Sequence, residues 1–141
     1  MKKITAILLA ICMSVQIMIS SISVNAASAT VENAISWAIA TANDNSHGYS
    51  QSNRWGPDYD CSSFVISAFK NAGVNTGTAT YTGNMRSQFT QHGFQWIPWS
   101  QIGSMSNLQR GDILLNEVQH TEIYLGNGKN VGAHSNRGYP Q

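Results

Sequence analysis

The stretch Asp58-Tyr59-Asp60-Cys61-Ser62-Ser63-Phe64-Val65 decides how the rest of the chain is read. Behind it runs FVISAFKNAG, in which Phe64, Val65, Ala68, Phe69 and Ala72 recur at helical spacing and Gly73 stands where a helix stops. Asp60 suits the N-cap, so Cys61 opens the helix. A thiol in that place sits at the positive end of the helix dipole, among first-turn amides that lack intrahelical partners. Both effects favour thiolate, the nucleophilic form. A cysteine kept for packing would sit further along, on the apolar stripe with Phe64 and Ala68. Lone cysteines are commonly buried and inert, but the cap geometry makes the nucleophile the better reading. A base has to come from elsewhere in the chain.

Outward from this centre, the N-terminus carries Lys2-Lys3, an apolar run from Ile4 to about Ile22, and the small residues Ala26-Ala27. That is the pattern of a secretory signal peptide over residues 1–26. Cys12 falls inside it, preceded by Ile11 rather than by the small residue that lipid attachment wants. Cleavage after Ala26 leaves 115 of the 141 residues, residues 27–141, as one catalytic-sized domain with Cys61 as its sole cysteine. An unpaired thiol in an exported protein is a liability unless it is used. A disulfide framework and a cysteine-rich zinc site are excluded by the same count. Six Lys and Arg then face seven Asp and Glu, and no basic block survives, which argues against nucleic acid and against an anionic membrane as partner. The expected product is a secreted or wall-associated monomer, with no stable membrane anchor after cleavage.

Val31, Ala34, Ile35, Ala38, Ile39 and Ala42 form one apolar helical face, with Thr30 as cap. Residues 43–53 are polar loop, followed by Arg54-Trp55-Gly56-Pro57. Trp55 could line a substrate groove or plug the core, and Tyr49 in the preceding loop is set beside it as a substrate-binding candidate. After the cysteine helix, Thr82 is placed to cap a short helix carrying Met85 and Phe89 and ended by Gly93. An aromatic segment, Phe94 to Trp99, follows. The last third reads as sheet, with an apolar strand through Leu115, then His120-Thr121-Glu122-Ile123-Tyr124-Leu125, the turn Gly126-Asn127-Gly128, and Lys129 to His134. Helices first and antiparallel strands second make an α+β fold.

A cysteine nucleophile needs an imidazole, and that imidazole wants a polar group on its other ring nitrogen. His47 and His92 each adjoin a glycine in loops and read as solvated bystanders. His120 opens a strand, where the pleat fixes its direction. The third group depends on the hairpin. A three-residue loop with a bulge sets His120 opposite His134, whereas a two-residue Asn-Gly turn pairs His134 with Thr121 on the wrong face. Glu122, two residues along on the same face as His120, is the reserve orienter.

Taken together, DCSSFV, LQRGDILL and HTEIYLGNGKNVGAH resemble the NlpC-type family of bacterial cell-wall cysteine peptidases, over Trp55 to His134. WGPDYDCSS is similar to the phage-type branch of these wall hydrolases. The resemblance implies a papain-like fold, Cys61 as nucleophile and His120 as base. It also implies peptidoglycan stem peptides as substrate, cut most often after D-glutamate. Asp60 and Ser62 become candidates for holding the amine end of the stem, and no metal or organic cofactor is implied. Three departures stand out. Ser63 replaces a glycine. Gly132 occupies the position of the usual third polar residue, with His134 two further on. The chain stops in what reads as a loop, where relatives continue into another strand, so the record is expected to be truncated or to lack an edge strand. The rival readings are an N-acetylmuramoyl-L-alanine amidase using the same Cys and His, a cysteine acyltransferase, and a non-catalytic wall-binding module built on the tryptophans.

Overall fold

A computed structural model describes residues 29–135. The expected signal peptide and the chain's last residues lie outside that range. Helix α1 covers residues 29–43, α2 Cys61–Asn71, α3 Thr82–Gln91, and the short α4 Trp99–Ile102, followed by a 3-10 turn at Met105–Asn107. Strands β1 (Ile113–Asn116), β2 (His120–Gly126) and β3 (Lys129–Val131) form one antiparallel sheet in that order. The fold is α+β, as the order of the patterns predicts.

Helix α2 begins at Cys61 because Asp60 is extended and caps it reciprocally. The Asp60 carboxylate accepts from the Ser63 amide at 2.7 Å, and the Asp60 amide donates to the Ser63 hydroxyl at 2.9 Å. Ser63 is thus more than a tolerated replacement for glycine, since its hydroxyl completes the cap. Gly73, at φ 82°, takes the left-handed backbone that ends the helix. Phe64, Val65, Ala68 and Phe69 face inward as the spacing predicts, packing with Ala34, Ile35 and Ala38 of α1 and with Ile123 of β2. On α1, Ile39 departs from the expected apolar face and lies 36% exposed, while Trp37 packs edge-on against Tyr59 instead. Helix α3 starts at Thr82 with Tyr81 in the cap position, one residue before the expected cap, because Asn84 reaches back to accept from the Tyr81 and Thr80 amides. Its Phe89 joins Phe69 and Phe94 in a cluster of edge-to-face rings with centroids 4.6–6.2 Å apart.

The hairpin combines both turns that the sequence left open. Asn127 and Gly128 have φ of 53° and 71°, a two-residue turn, and Gly126 faces Lys129. One extra residue, Leu125, then bulges out, so that Tyr124 faces Asn130 and Ile123 faces Val131. Beyond the bulge the register is the one that sets residue 134 opposite residue 120. The Leu125 carbonyl is held by Arg110 at 2.7 Å, and the same guanidinium forks onto Glu32 of α1 at 2.8 and 3.0 Å. Gly111 must be glycine twice over. Its φ is 95°, and a Cβ there would sit 2.1 Å from the Val31 side chain of α1. Strand β3 ends at Val131, earlier than the alternation suggests.

Candidate active site

Helix α2 packs on β2, which brings the helix tip to the start of the strand. The Cys61 sulfur is half-buried, and the backbone amide of Thr121, the residue immediately after His120, is near enough to favour its thiolate. Asp60 is buried and fully engaged. One carboxylate oxygen takes the Ser63 amide and the Ser62 hydroxyl, and the other takes Arg54. Arg54 also donates to the Thr80 carbonyl at 2.6 Å, so it pins the loop before α2 to the loop before α3. Burial by itself raises the Asp60 carboxyl. The Ser63 amide, Arg54 and the Ser62 and Ser63 hydroxyls together outweigh it and leave the group below the usual carboxylate range.

The thiol behaves contrary to the helix-dipole expectation. Burial pushes the Cys61 thiol up, and the Asp60 carboxylate adds to the rise. The amides of Thr121, Ser62 and Cys61 itself oppose the shift without cancelling it. The balance favours the thiol over the thiolate. Iodoacetamide alkylation of Cys61 should accordingly be slow at neutral pH and should climb with pH through a midpoint above the ordinary thiol range. A rate already saturated at pH 7 would refute this.

His120 and Glu122 share one face of β2, while Thr121 and Ile123 point into the core. Glu122 stands between the two histidines. Its Oε1 lies 3.2 Å from His120 Nε2 and 2.7 Å from His134 Nε2, and its Oε2 accepts from Asn130 at 2.8 Å. The imidazole centroids are 4.7 Å apart. The His120 ring thus spends Nε2 on Glu122, and among the described residues it makes no hydrogen bond to the sulfur. Gly132 makes this arrangement possible, because a Cβ there would stand 2.9 Å from Glu122 Cγ. The sequence places both His134 and Glu122 near His120, but treats them as alternatives. Their joint use, with the carboxylate in the middle, depends on the missing side chain at Gly132.

The remaining candidates lie further out. Trp55 is 48% exposed, flanked by the Arg54 and Lys70 cations at 5.4 and 5.6 Å from its ring, so it does not plug the core. Tyr49 bridges to Tyr59 and packs on the core edge. His47 is tied to the Pro57 carbonyl and to Asp44, and His92 to the Gln88 carbonyl, so both are engaged locally.

An α+β domain with a thiol at a helix tip, set against a strand that carries His120 and Glu122 with His134 brought alongside by the hairpin, has the outline of a hydrolase. Comparison with known proteins supports a cell-wall hydrolase of the endolysin kind, a coarser statement than the NlpC-type resemblance. The chain belongs to the endolysin-like domain family, whose model matches residues 56–131, more than half of the 141-residue chain. The matched segment takes in Asp60, Cys61, His120 and Glu122 and ends just before Gly132 and His134. Membership carries a cell-wall lytic function in general, with peptidoglycan as substrate. No curated protein and no solved structure matches the chain. Among the described residues no helix is long and apolar enough to cross a membrane.

Proposed function

We propose that the protein is an exported cysteine hydrolase acting on the peptide stems of peptidoglycan, with Cys61 as nucleophile and His120 as base. The observation that carries this is the packing of α2, which opens with Cys61, on β2, which opens with a histidine whose Nε2 is occupied by Glu122. A carboxylate can only accept, so Nε2 carries the ring proton and Nδ1 keeps a lone pair. As substrate excludes water, Nδ1 takes the thiol proton and the sulfur attacks the amide carbonyl. The protonated ring then delivers its proton to the leaving amine, and water activated by the same nitrogen hydrolyses the thioester. Glu122 steadies the imidazolium, and His134 and Asn130 hold Glu122. The Cys61 amide, in the first turn of α2, is the natural donor to the oxyanion, and losing one such donor typically costs about 10²–10³-fold.

The resemblance to NlpC-type peptidases favours cleavage after D-glutamate. Trp55 and Tyr49 are the proposed walls of the substrate channel. For Asp60 and Ser62 to hold the stem's amine, the ammonium would have to replace Arg54 on the Asp60 carboxylate. Mass spectrometry of fragments from digested, purified peptidoglycan tests the assignment. New amine termini within the stem are expected. Release of intact stems beginning with L-alanine would instead make the protein an amidase, and wall binding without fragments would make it a binding module.

Gly132 supplies a further check. Gly132→Val should displace Glu122 and lower kcat/KM on wall fragments by up to about 10²-fold, the cost of a misplaced catalytic group. Circular dichroism should stay native. Unchanged kinetics would remove Glu122 from the mechanism.

A further inference from the structure

We propose that His120, Glu122 and His134 form a site for a divalent transition ion of the zinc type, and that filling it switches the hydrolytic site off. The switch rests on the reading of His120 as base given above; the ion site does not.

The donor atoms of the three residues lie within 4.8 Å of one another. Both imidazole Nε2 atoms already converge on one carboxylate oxygen, at 3.2 and 2.7 Å. Zinc takes nitrogen and oxygen at about 2.0–2.2 Å, and tetrahedral ligands at that distance stand about 3.3–3.5 Å from one another. The cluster therefore needs an opening of well under 1 Å on its shorter edge, by roughly that geometry. Two histidines and one carboxylate suit zinc and leave a fourth position open. The strand pleat supplies two of the ligands at positions i and i+2 of β2, and the bulged hairpin supplies the third.

Two features outside the ligands prepare the site. Asn130 holds the far carboxylate oxygen of Glu122 at 2.8 Å, which turns Oε1 toward the rings. Gly132 keeps the space beside Glu122 clear of any side chain. Both histidine side chains are over a third exposed, so an ion has a route in from solvent.

The consequence follows from proton placement. Without an ion, each ring presents Nε2–H to Glu122, and His120 keeps its lone pair on Nδ1. An ion takes the Nε2 lone pair of each ring, and the proton of each moves through solvent to Nδ1. In His120, the nitrogen that has to accept the Cys61 proton then already bears one. The thiol stays protonated and attack stops.

The test is titration of the EDTA-treated full chain with Co2+, read by visible absorption, followed by displacement with Zn2+. One equivalent of Co2+ with ligand-field bands is expected, and release of wall fragments should fall with the same midpoint as Zn2+ binding. His134→Ala should abolish the bands. Asn130→Ala, which removes no ligand, should weaken binding by about 10–100-fold. Cys61→Ala should bind Co2+ with the same stoichiometry, which reads the ion site without any activity. Absence of the one-equivalent spectrum, or binding that survives His134→Ala with native circular dichroism, overturns the site. Zinc bound with fragment release unchanged, or release that is lost with EDTA and restored by zinc, overturns the switch. A wild-type protein that binds Co2+ but releases no fragments refutes the Cys–His reading and the switch with it, and leaves the ion site standing.

Discussion

Cys61→Ala protein is expected to release no fragments from purified peptidoglycan while keeping its fold. The two halves of that statement have separate causes. Alanine is the best helix former, and position 61 is the first residue of α2, so the helix loses nothing intrinsic. The cap that holds α2 uses Asp60 and Ser63, and neither touches the sulfur through its side-chain hydrogen bonds. The thermal midpoint should therefore stay within a few degrees of wild type, as expected for a change of about 1 kcal/mol or less. Chemistry has no such substitute, because the thioester cannot form without sulfur. His120→Ala should act less completely, by about 10²–10⁴-fold, since loss of a general base leaves the nucleophile in place. Fragment release by folded Cys61→Ala protein would end the cysteine mechanism.

The largest effect on stability is expected at Phe69→Ala. Phe69 is 2% exposed and stands edge-on to both Phe89 and Phe94, so it joins α2 to α3 and to the segment after it. Truncation removes the buried ring and leaves a cavity that three surrounding elements cannot all collapse into. The cost should be about 3–5 kcal/mol. Against a typical total of about 5–15 kcal/mol, that is a large share of what holds the domain together. Urea unfolding followed by circular dichroism measures it. A loss below about 1 kcal/mol would mean that the aromatic cluster does not carry the α2–α3 packing.

What could be read in the sequence was local. The Asp60 cap, the start of α2 at Cys61 and the inward set Phe64, Val65, Ala68 and Phe69 depend on residues within a few positions of one another, and each is where the pattern puts it. Sheet order followed from turn chemistry in the same way. Arg54 is different. It lies six residues before Asp60, just after a polar loop, yet the chain folds back and makes it the counter-charge of the buried cap. The thiol was misjudged for a related reason. Helix position can be read from the chain, but the burial that raises Cys61 depends on what packs around the helix tip in three dimensions. The central place of Glu122 depended on two distant facts at once, the hairpin register and the bare backbone at Gly132. Neither alone distinguishes it from a surface carboxylate.

The single extra residue at Leu125 has reach beyond the turn that it interrupts. By letting one strand run one position longer than its neighbour, it decides which side of the sheet every later residue faces, and so whether two imidazoles meet or look in opposite directions. Arg110 clamps that irregularity from behind and ties it to the first helix. Hairpin length, usually the most forgiving variable on a protein surface, here fixes where the second imidazole stands. Shortening the tip by one residue would turn His134 away from Glu122.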